Sequence, residues 1–86
     1  MLPYGHSTSR ITSTAELGSR VRKRRRQLGL SQQRCADLCG VGRRFLSELE
    51  NGKPTLELGL VLQVLGEIGL PLLLAEPDDT DLEGRA

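Results

Sequence analysis

One stretch, from Gln32 to Lys53, constrains the fold more than any other, because it predicts two short helices joined by a tight turn. Ser31 can accept a hydrogen bond from a free backbone N–H where the first of these helices begins. Gly40 ends that helix, since glycine enters the left-handed backbone region without the steric cost that a Cβ brings. The pattern predicts a helix-turn-helix or, as the alternative, an ordinary helical hairpin.

The second helix of the stretch has two different sides. Leu46 and Leu49 face inward at a spacing of three. The outward side carries hydrogen-bonding groups, and in a helix-turn-helix these would meet DNA base edges: Arg43, Arg44, Ser47 and Glu48. Arginine can donate two hydrogen bonds to guanine, and a glutamate can accept one from cytosine. Phe45 has two open roles, contact with a thymine methyl or packing against the turn.

The residues around the turn narrow the interpretation to a protein class. Leu17–Lys53 resembles the Cro/repressor (Xre) class of helix-turn-helix regulators. The matching positions are Val21, Arg25, Leu28-Gly29-Leu30, Ser31-Gln32, Ala36, Gly40-Val41 and Leu49-Glu50-Asn51-Gly52-Lys53. The resemblance implies an all-α, compact bundle of four to five helices that binds double-stranded DNA. We expect the residues flanking the two helices to hold phosphates and set the register, namely Gln32, Asn51 and Lys53.

Arg25 lies on the apolar side of the predicted first helix, where a guanidinium is partly desolvated and requires a carboxylate partner. The resemblance points to Glu50 as that partner. A bidentate bridge between them would fix the angle between the first and third helices. The alternative is that Arg25 is one more surface cation.

Length and charge bound the remaining possibilities. Eighty-six residues allow one small domain with a single core. Residues 10–53 contain eleven Lys or Arg and four Asp or Glu, for a net charge of +7, whereas residues 54–86 have a net charge of −6. This division predicts a polyanionic partner for the first part, and solvation or a basic protein partner for the second.

The ends of the chain differ from its middle. Residues 1–10 predict a flexible arm, and its single histidine, His6, receives no role. Ser13 and Glu16 have the spacing of a capping box, so the first helix should begin near Ser13. Apart from Arg25, the basic run Arg22–Arg26 is interpreted as a solvated face. Residues 11–75 then form the DNA-binding and dimerisation domain, and residues 76–86 form an acidic, disordered tail.

The last helix is more apolar than one face requires. Thr55 can cap it, and an inner stripe is predicted from Leu58, Leu62, Leu65 and Ile68, with Leu60, Val61 and Val64 widening the apolar surface. The excess predicts a homodimer. Gly69 should end the helix, and the apolar run Leu70–Leu74, which contains a proline, predicts an edge strand. The dimer-interface candidates are Leu70, Leu72 and Leu74.

A helix that ends in Gly-Leu before a short apolar strand, as in LGEIGLPLLL, resembles the HipB-type antitoxin branch of the same class. In that branch, small dimeric repressors neutralise a kinase-like toxin encoded beside them, and terminal strands pair across the dimer. The resemblance therefore implies a HipA-like kinase toxin as a partner. This chain departs from antitoxin tails that insert an aromatic residue into the toxin, because no aromatic residue follows Phe45. The alternative is a free-standing repressor without a toxin partner.

Other classes of function find little support. One N-terminal histidine cannot complete a catalytic triad, and the chain lacks a glycine-rich phosphate loop, so no enzyme activity, metal or cofactor is predicted. Cys35 and Cys39 lie one helical turn apart and are interpreted as buried small hydrophobes. The chain has no apolar run long enough for a bilayer and no secretory signal, so a cytoplasmic location is expected.

Overall fold

The computed structural model describes residues 8–77, and in this range the chain forms four α-helices. They are α1 (Thr14–Gln27), α2 (Gln32–Cys39), α3 (Arg43–Glu50) and α4 (Leu58–Glu67). The all-α prediction is therefore confirmed. The predicted flexible arm and acidic tail lie mainly outside the described residues. No helix within residues 8–77 is long and apolar enough to cross a membrane.

The helix boundaries come from local signals in the sequence. The Ser13 hydroxyl accepts a hydrogen bond from the Glu16 backbone N–H at 3.1 Å, and the Ser31 hydroxyl accepts one from Arg34 at the same distance. In a full capping box the Glu16 carboxylate would accept from the Ser13 backbone N–H. Here it accepts from the Thr12 hydroxyl at 2.7 Å. Gly40 adopts the left-handed conformation at φ 72°. The chain therefore turns sharply from α2 into α3.

The core lies between the helices and is built from small and medium apolar side chains. Its buried members are Val21, Cys35, Ala36, Cys39, Leu46, Leu49, Val61, Val64, Leu65 and Ile68. Helix α1 approaches α3 very closely at Gly18, where an added Cβ would lie 2.3 Å from the Leu49 carbonyl oxygen. Only glycine allows this approach, which fixes how α1 is set against α3.

The prediction of the inner stripe of α4 was partly wrong. Leu65 and Ile68 are buried as predicted, but Leu58 and Leu62 are 64% and 43% exposed, and Val61 and Val64 are buried in their place. The helix begins after Glu57, without the predicted Thr55 cap. Because α4 is apolar on most sides, its pattern alone does not fix its rotation; packing on α2 does. The Gln63 side-chain amide donates to the Cys39 carbonyl at 2.6 Å and ties α4 to the end of α2.

The segment after α4 differs from the predicted edge strand. Gly69, at φ 77°, turns the chain out of α4, and the Arg24 guanidinium donates to the Ile68 carbonyl at 2.7 Å. Residues 70–77 contain no regular secondary structure. A strand requires hydrogen bonds to a neighbouring strand, and residues 8–77 of a single chain form none. Strand pairing across a dimer therefore stays a prediction.

Candidate nucleic-acid interface

The outward side of α3 carries the side chains that the sequence predicted to read bases. Leu46 and Leu49 are buried and anchor α3 to the core. Arg43 is exposed, and the Arg44 side chain is 91% exposed, so both side chains are accessible to a groove. Ser47 is half-buried. Phe45 is also half-buried and packs against the core, which favours its packing role over a base contact.

Glu48 and Lys53, which were predicted to contact different parts of DNA, are paired with each other. The Lys53 ammonium donates to Glu48 Oε2 at 2.9 Å, and Arg44 Nε lies 3.9 Å from the same oxygen. The hydrogen bond from Lys53 lowers the pKa of the Glu48 carboxyl, so this group is ionised at neutral pH. A contact from Lys53 to phosphate, or from Glu48 to a base, would require the two side chains to exchange partners.

A buried carboxylate joins α1 to the end of α3. Arg25 Nε donates to Glu50 Oε2 at 2.6 Å, and a terminal nitrogen of Arg25 donates to Glu50 Oε1 at 2.9 Å. The Glu50 side chain is fully buried, and the Arg25 side chain is 10% exposed. The guanidinium also donates to the Leu30 carbonyl at 2.8 Å. The bidentate bridge is therefore present, and Arg25 also connects it to Leu30, in the loop before α2.

Gln32 is connected to this bridge. Its side-chain amide donates to Glu50 Oε1 at 3.1 Å, which holds this predicted phosphate ligand beside the end of α3. Burial alone would raise the pKa of the Glu50 carboxyl, but hydrogen bonds from Arg25, Gln32 and Arg22 outweigh it and hold that pKa below the ordinary value. The same hydrogen bond to Glu50 raises the pKa of Arg25. Both groups are therefore charged at neutral pH.

Two arginines of the basic run make contacts that the sequence did not predict. Arg22 Nε lies 3.4 Å from Glu50 Oε1, and its guanidinium donates to Asn51 Oδ1 at 3.1 Å, whereas Arg24 binds the Ile68 carbonyl. The available signal for Arg22 was its place three residues before the inward Arg25, which puts it on an adjoining face of α1. Of the run and its neighbour Arg20, the exposed cations are Arg20, Lys23 and Arg26.

The two cysteines are part of the core. Burial, together with the neighbouring Cys35, raises the pKa of the Cys39 thiol to about 12. Burial also raises the pKa of Cys35. Both side chains therefore remain neutral thiols, in keeping with their predicted role as small hydrophobes. Within residues 8–77, no group of His, Cys, Asp and Glu side chains could hold a metal ion.

A helix-turn-helix domain model matches residues 16–71, a range that contains all four helices except the first two residues of α1. The chain is a member of the helix-turn-helix family. A relative of this helix-turn-helix protein is the HTH-type transcriptional regulator y4mF of Sinorhizobium fredii, which is 41% identical over 70 residues and is matched over 81% of this chain and 92% of its own length. The protein is therefore a DNA-binding transcriptional regulator and belongs to a class without enzymatic activity.

Solved structures share the fold of this helix-turn-helix protein. The chain matched in the HipA-HipB-O2-O3 complex has a TM-score of 0.72 at 22% identity, over 83% of this chain and all of that one. A HipB-O4 20mer complex gives the same values. A HipB-O1-O2 complex gives a TM-score of 0.71 at 23% identity, over 80% of this chain and all of the other. At this level of identity the likeness shows the fold.

Proposed function

We propose that this helix-turn-helix protein is a sequence-specific transcriptional repressor that binds an inverted-repeat operator as a homodimer. The observation that carries the proposal is the outward side of α3. There Arg43 and Arg44 are exposed, while the other side of the helix is held by buried leucines and the Arg25–Glu50 bridge. Rigid placement matters because base readout requires donors held in register with the groove.

The proposed roles divide the site into reading and positioning contacts. Arg43 and Arg44 donate to guanine edges, and Glu48 and Ser47 contact neighbouring bases once Glu48 is released from Lys53. Gln32, Asn51 and Lys53 hold phosphates on either side of α3. Because Glu48 is paired with Lys53, the two proposed contacts are coupled: the ammonium moves to a phosphate, and the carboxylate then becomes available to a cytosine amino group.

A homodimer is supported by apolar surface that the single chain leaves uncovered. Leu72, Leu73 and Leu74 are 50%, 57% and 77% exposed, and Leu58 and Leu62 on α4 are also exposed. Leu70, the third predicted interface residue, is half-buried against the core of its own chain. We propose that Leu72 and Leu74 pack against a second subunit, with Leu70 connecting this contact to the core.

The finer proposal is that the repressor is also the antitoxin of a type II toxin–antitoxin pair and acts in the cytoplasm. Its support is the shared fold with HipB chains, one of them in a complex with HipA, together with the acidic second half of the chain. The alternative is a free-standing repressor without a toxin. A kinase-like reading frame beside the gene, whose product co-purifies with this protein after co-expression, would favour the antitoxin; an isolated gene would favour the alternative.

Selection from a pool of random DNA duplexes tests the proposed function. The parent protein should enrich an inverted repeat rich in guanine, with half-site centres about one helical turn apart, roughly 34–36 Å. The matched control is the Arg43→Ala/Arg44→Ala double variant, which keeps the buried side of α3 and should enrich no common sequence. Enrichment of the same repeat by the double variant, or of none by the parent, would contradict the assignment of α3 as the reading element.

A further inference from the structure

Arg22 is a second arginine on a carboxylate that one arginine already neutralises. Arg25 makes two hydrogen bonds to Glu50, at 2.6 and 2.9 Å, and balances its charge, whereas Arg22 Nε reaches the same carboxylate at the longer distance of 3.4 Å. The group formed by these three side chains therefore has a net charge of +1. The surplus positive charge lies on the partner that is open to solvent, because the Arg22 side chain is 39% exposed and the Arg25 side chain 10%.

The geometry fixes Arg22 without exhausting its donors. A guanidinium has five N–H groups. One is used on Glu50 and one on Asn51 Oδ1, so three remain for another acceptor. Two anchoring hydrogen bonds reduce the conformational freedom of a long side chain, which lowers the entropic cost of using the remaining donors. The Arg22 guanidinium is thus held in one position with donors available for a further acceptor.

The surroundings of Arg22 indicate which acceptor it meets. Gln32 and Arg22 donate to the same oxygen of Glu50, and Arg22 also contacts Asn51, so Arg22 lies between two proposed phosphate ligands. Arg22 further lines a shallow, open depression on α1 together with Ser19, Lys23, Arg26 and Gln27. A cluster of cations and donors with free N–H groups suits the negative charge and the acceptor oxygens of a nucleic-acid backbone.

We propose that Arg22 binds a DNA phosphate between those held by Gln32 and Asn51, and that Glu50 is the positioning residue of this contact. The inference rests on the proposed function, because it takes its place on the duplex from Gln32 and Asn51. It gives α1, an element outside the helix-turn-helix, a direct contact with the operator. It also gives the buried bridge a second role beside setting the angle between α1 and α3.

The test compares two arginines of one helix. Arg20 lies two residues before Arg22, hence on a different face, and is exposed. Binding of the parent, Arg22→Gln and Arg20→Gln to the selected operator and to a scrambled duplex is measured by fluorescence anisotropy across a salt series. Arg22→Gln should reduce the magnitude of the slope of log K against log salt by about 0.9 for each subunit. It should also weaken binding to both duplexes by the same factor. Arg20→Gln should change the slope much less.

Two further measurements distinguish a direct contact between Arg22 and DNA from an effect of the substitution on folding. Arg22→Lys keeps the charge and should retain the slope of the parent. In the isotope-labelled parent, which needs no substitution, the Arg22 Nε–H resonance should shift on addition of either duplex while that of Arg20 does not. An Arg22→Gln slope equal to that of the parent or of Arg20→Gln, or an unshifted Arg22 resonance, would overturn the inference. A parent that binds both duplexes equally would contradict the proposed specificity, yet the slope would still decide the role of Arg22.

Discussion

The Glu50 side chain joins α1 and α2 to the end of α3. Its buried carboxylate accepts hydrogen bonds from Arg25 and Arg22 of α1 and from Gln32 of α2, while its backbone ends α3. A buried charge of this kind is tolerated only when its hydrogen bonds are complete. The same carboxylate therefore contributes to stability and holds Gln32 and Arg22, two of the side chains proposed to contact DNA phosphates.

Removing the carboxylate should unfold or severely destabilise the domain. Glu50→Ala leaves the buried Arg25 without its partner, which costs on the order of 3–5 kcal/mol, a large part of the stability of a small domain. Thermal melting followed by circular dichroism should show a marked loss. Glu48→Ala is the matched control, because Glu48 is not buried in the core and its loss should change the melting temperature little. Equal melting of Glu50→Ala and the parent would reduce Arg25 to a surface charge.

The ionisation of Glu50 also predicts how stability depends on pH. The pKa of this carboxyl is lower in the folded protein than in the unfolded chain. Its contribution is therefore fully present above the ordinary glutamate pKa of about 4.3, and is lost as the pH falls below that value through the folded pKa. The melting temperature of the parent should fall more steeply on acidification than that of Glu50→Gln, which has no such group to titrate. Parallel curves would show that Glu50 does not govern acid stability.

At the scale of helices and turns, the sequence predicted those features that depend on short-range chemistry. Ser31 and Gly40 bound α2 through a side-chain cap and a left-handed residue, and both follow from residue type. The rotation of α4 could not be predicted, because Leu58 and Val61 are equally apolar and only packing on α2 buries one of them. The Arg22 contact was missed for the same reason. It depends on where α1 crosses the end of α3.

The crossing of α1 and α3 gives a prediction at this scale. A Cβ at Gly18 would meet the Leu49 carbonyl at 2.3 Å, so Gly18→Ala should force the helices apart and cost roughly 1–3 kcal/mol. Gly66 lies within α4, and no atom of the described residues beyond its chain neighbours and the backbone of its own helix lies within 4 Å of an added Cβ. Gly66→Ala should instead be neutral or stabilise by up to about 1 kcal/mol, through helix propensity. Urea denaturation of both variants measures the difference; a Gly18→Ala protein as stable as Gly66→Ala would refute the close approach.

At the scale of the whole molecule, exposed leucines predict the assembly state. Leu72 and Leu74 follow α4 and are half or more exposed, a poor arrangement for a free monomer. The parent should sediment at twice the chain mass of 9.4 kDa at micromolar concentration. Leu72→Glu/Leu74→Glu should dissociate it, whereas Leu38→Glu, at an equally exposed leucine of α2, should not. A folded parent monomer, or a double variant that stays dimeric, would contradict the proposed homodimer.

The two halves of the molecule differ in net charge, and the proposed DNA and dimer contacts lie in different halves. Residues 10–53, with net charge +7, include α3 and the side chains bonded to Glu50, whereas residues 54–86, with net charge −6, contain α4 and the proposed dimer contact. Long-range attraction to DNA therefore belongs to the first half. The proposed base reading involves a much smaller area, the exposed first turn of α3.

The most direct test of base reading by α3 is the binding of Arg44→Ala and Lys53→Ala to the selected operator and to a scrambled duplex. Arg44→Ala should lose about 1–3 kcal/mol of binding free energy on the operator. It should lose little on the scrambled sequence, because a guanine contact exists only at the correct site. Lys53→Ala should weaken both duplexes alike and reduce the salt slope by about 1 for each subunit. Equal losses on both duplexes for Arg44→Ala would mean that this arginine holds backbone, and would contradict the claim that α3 reads the operator.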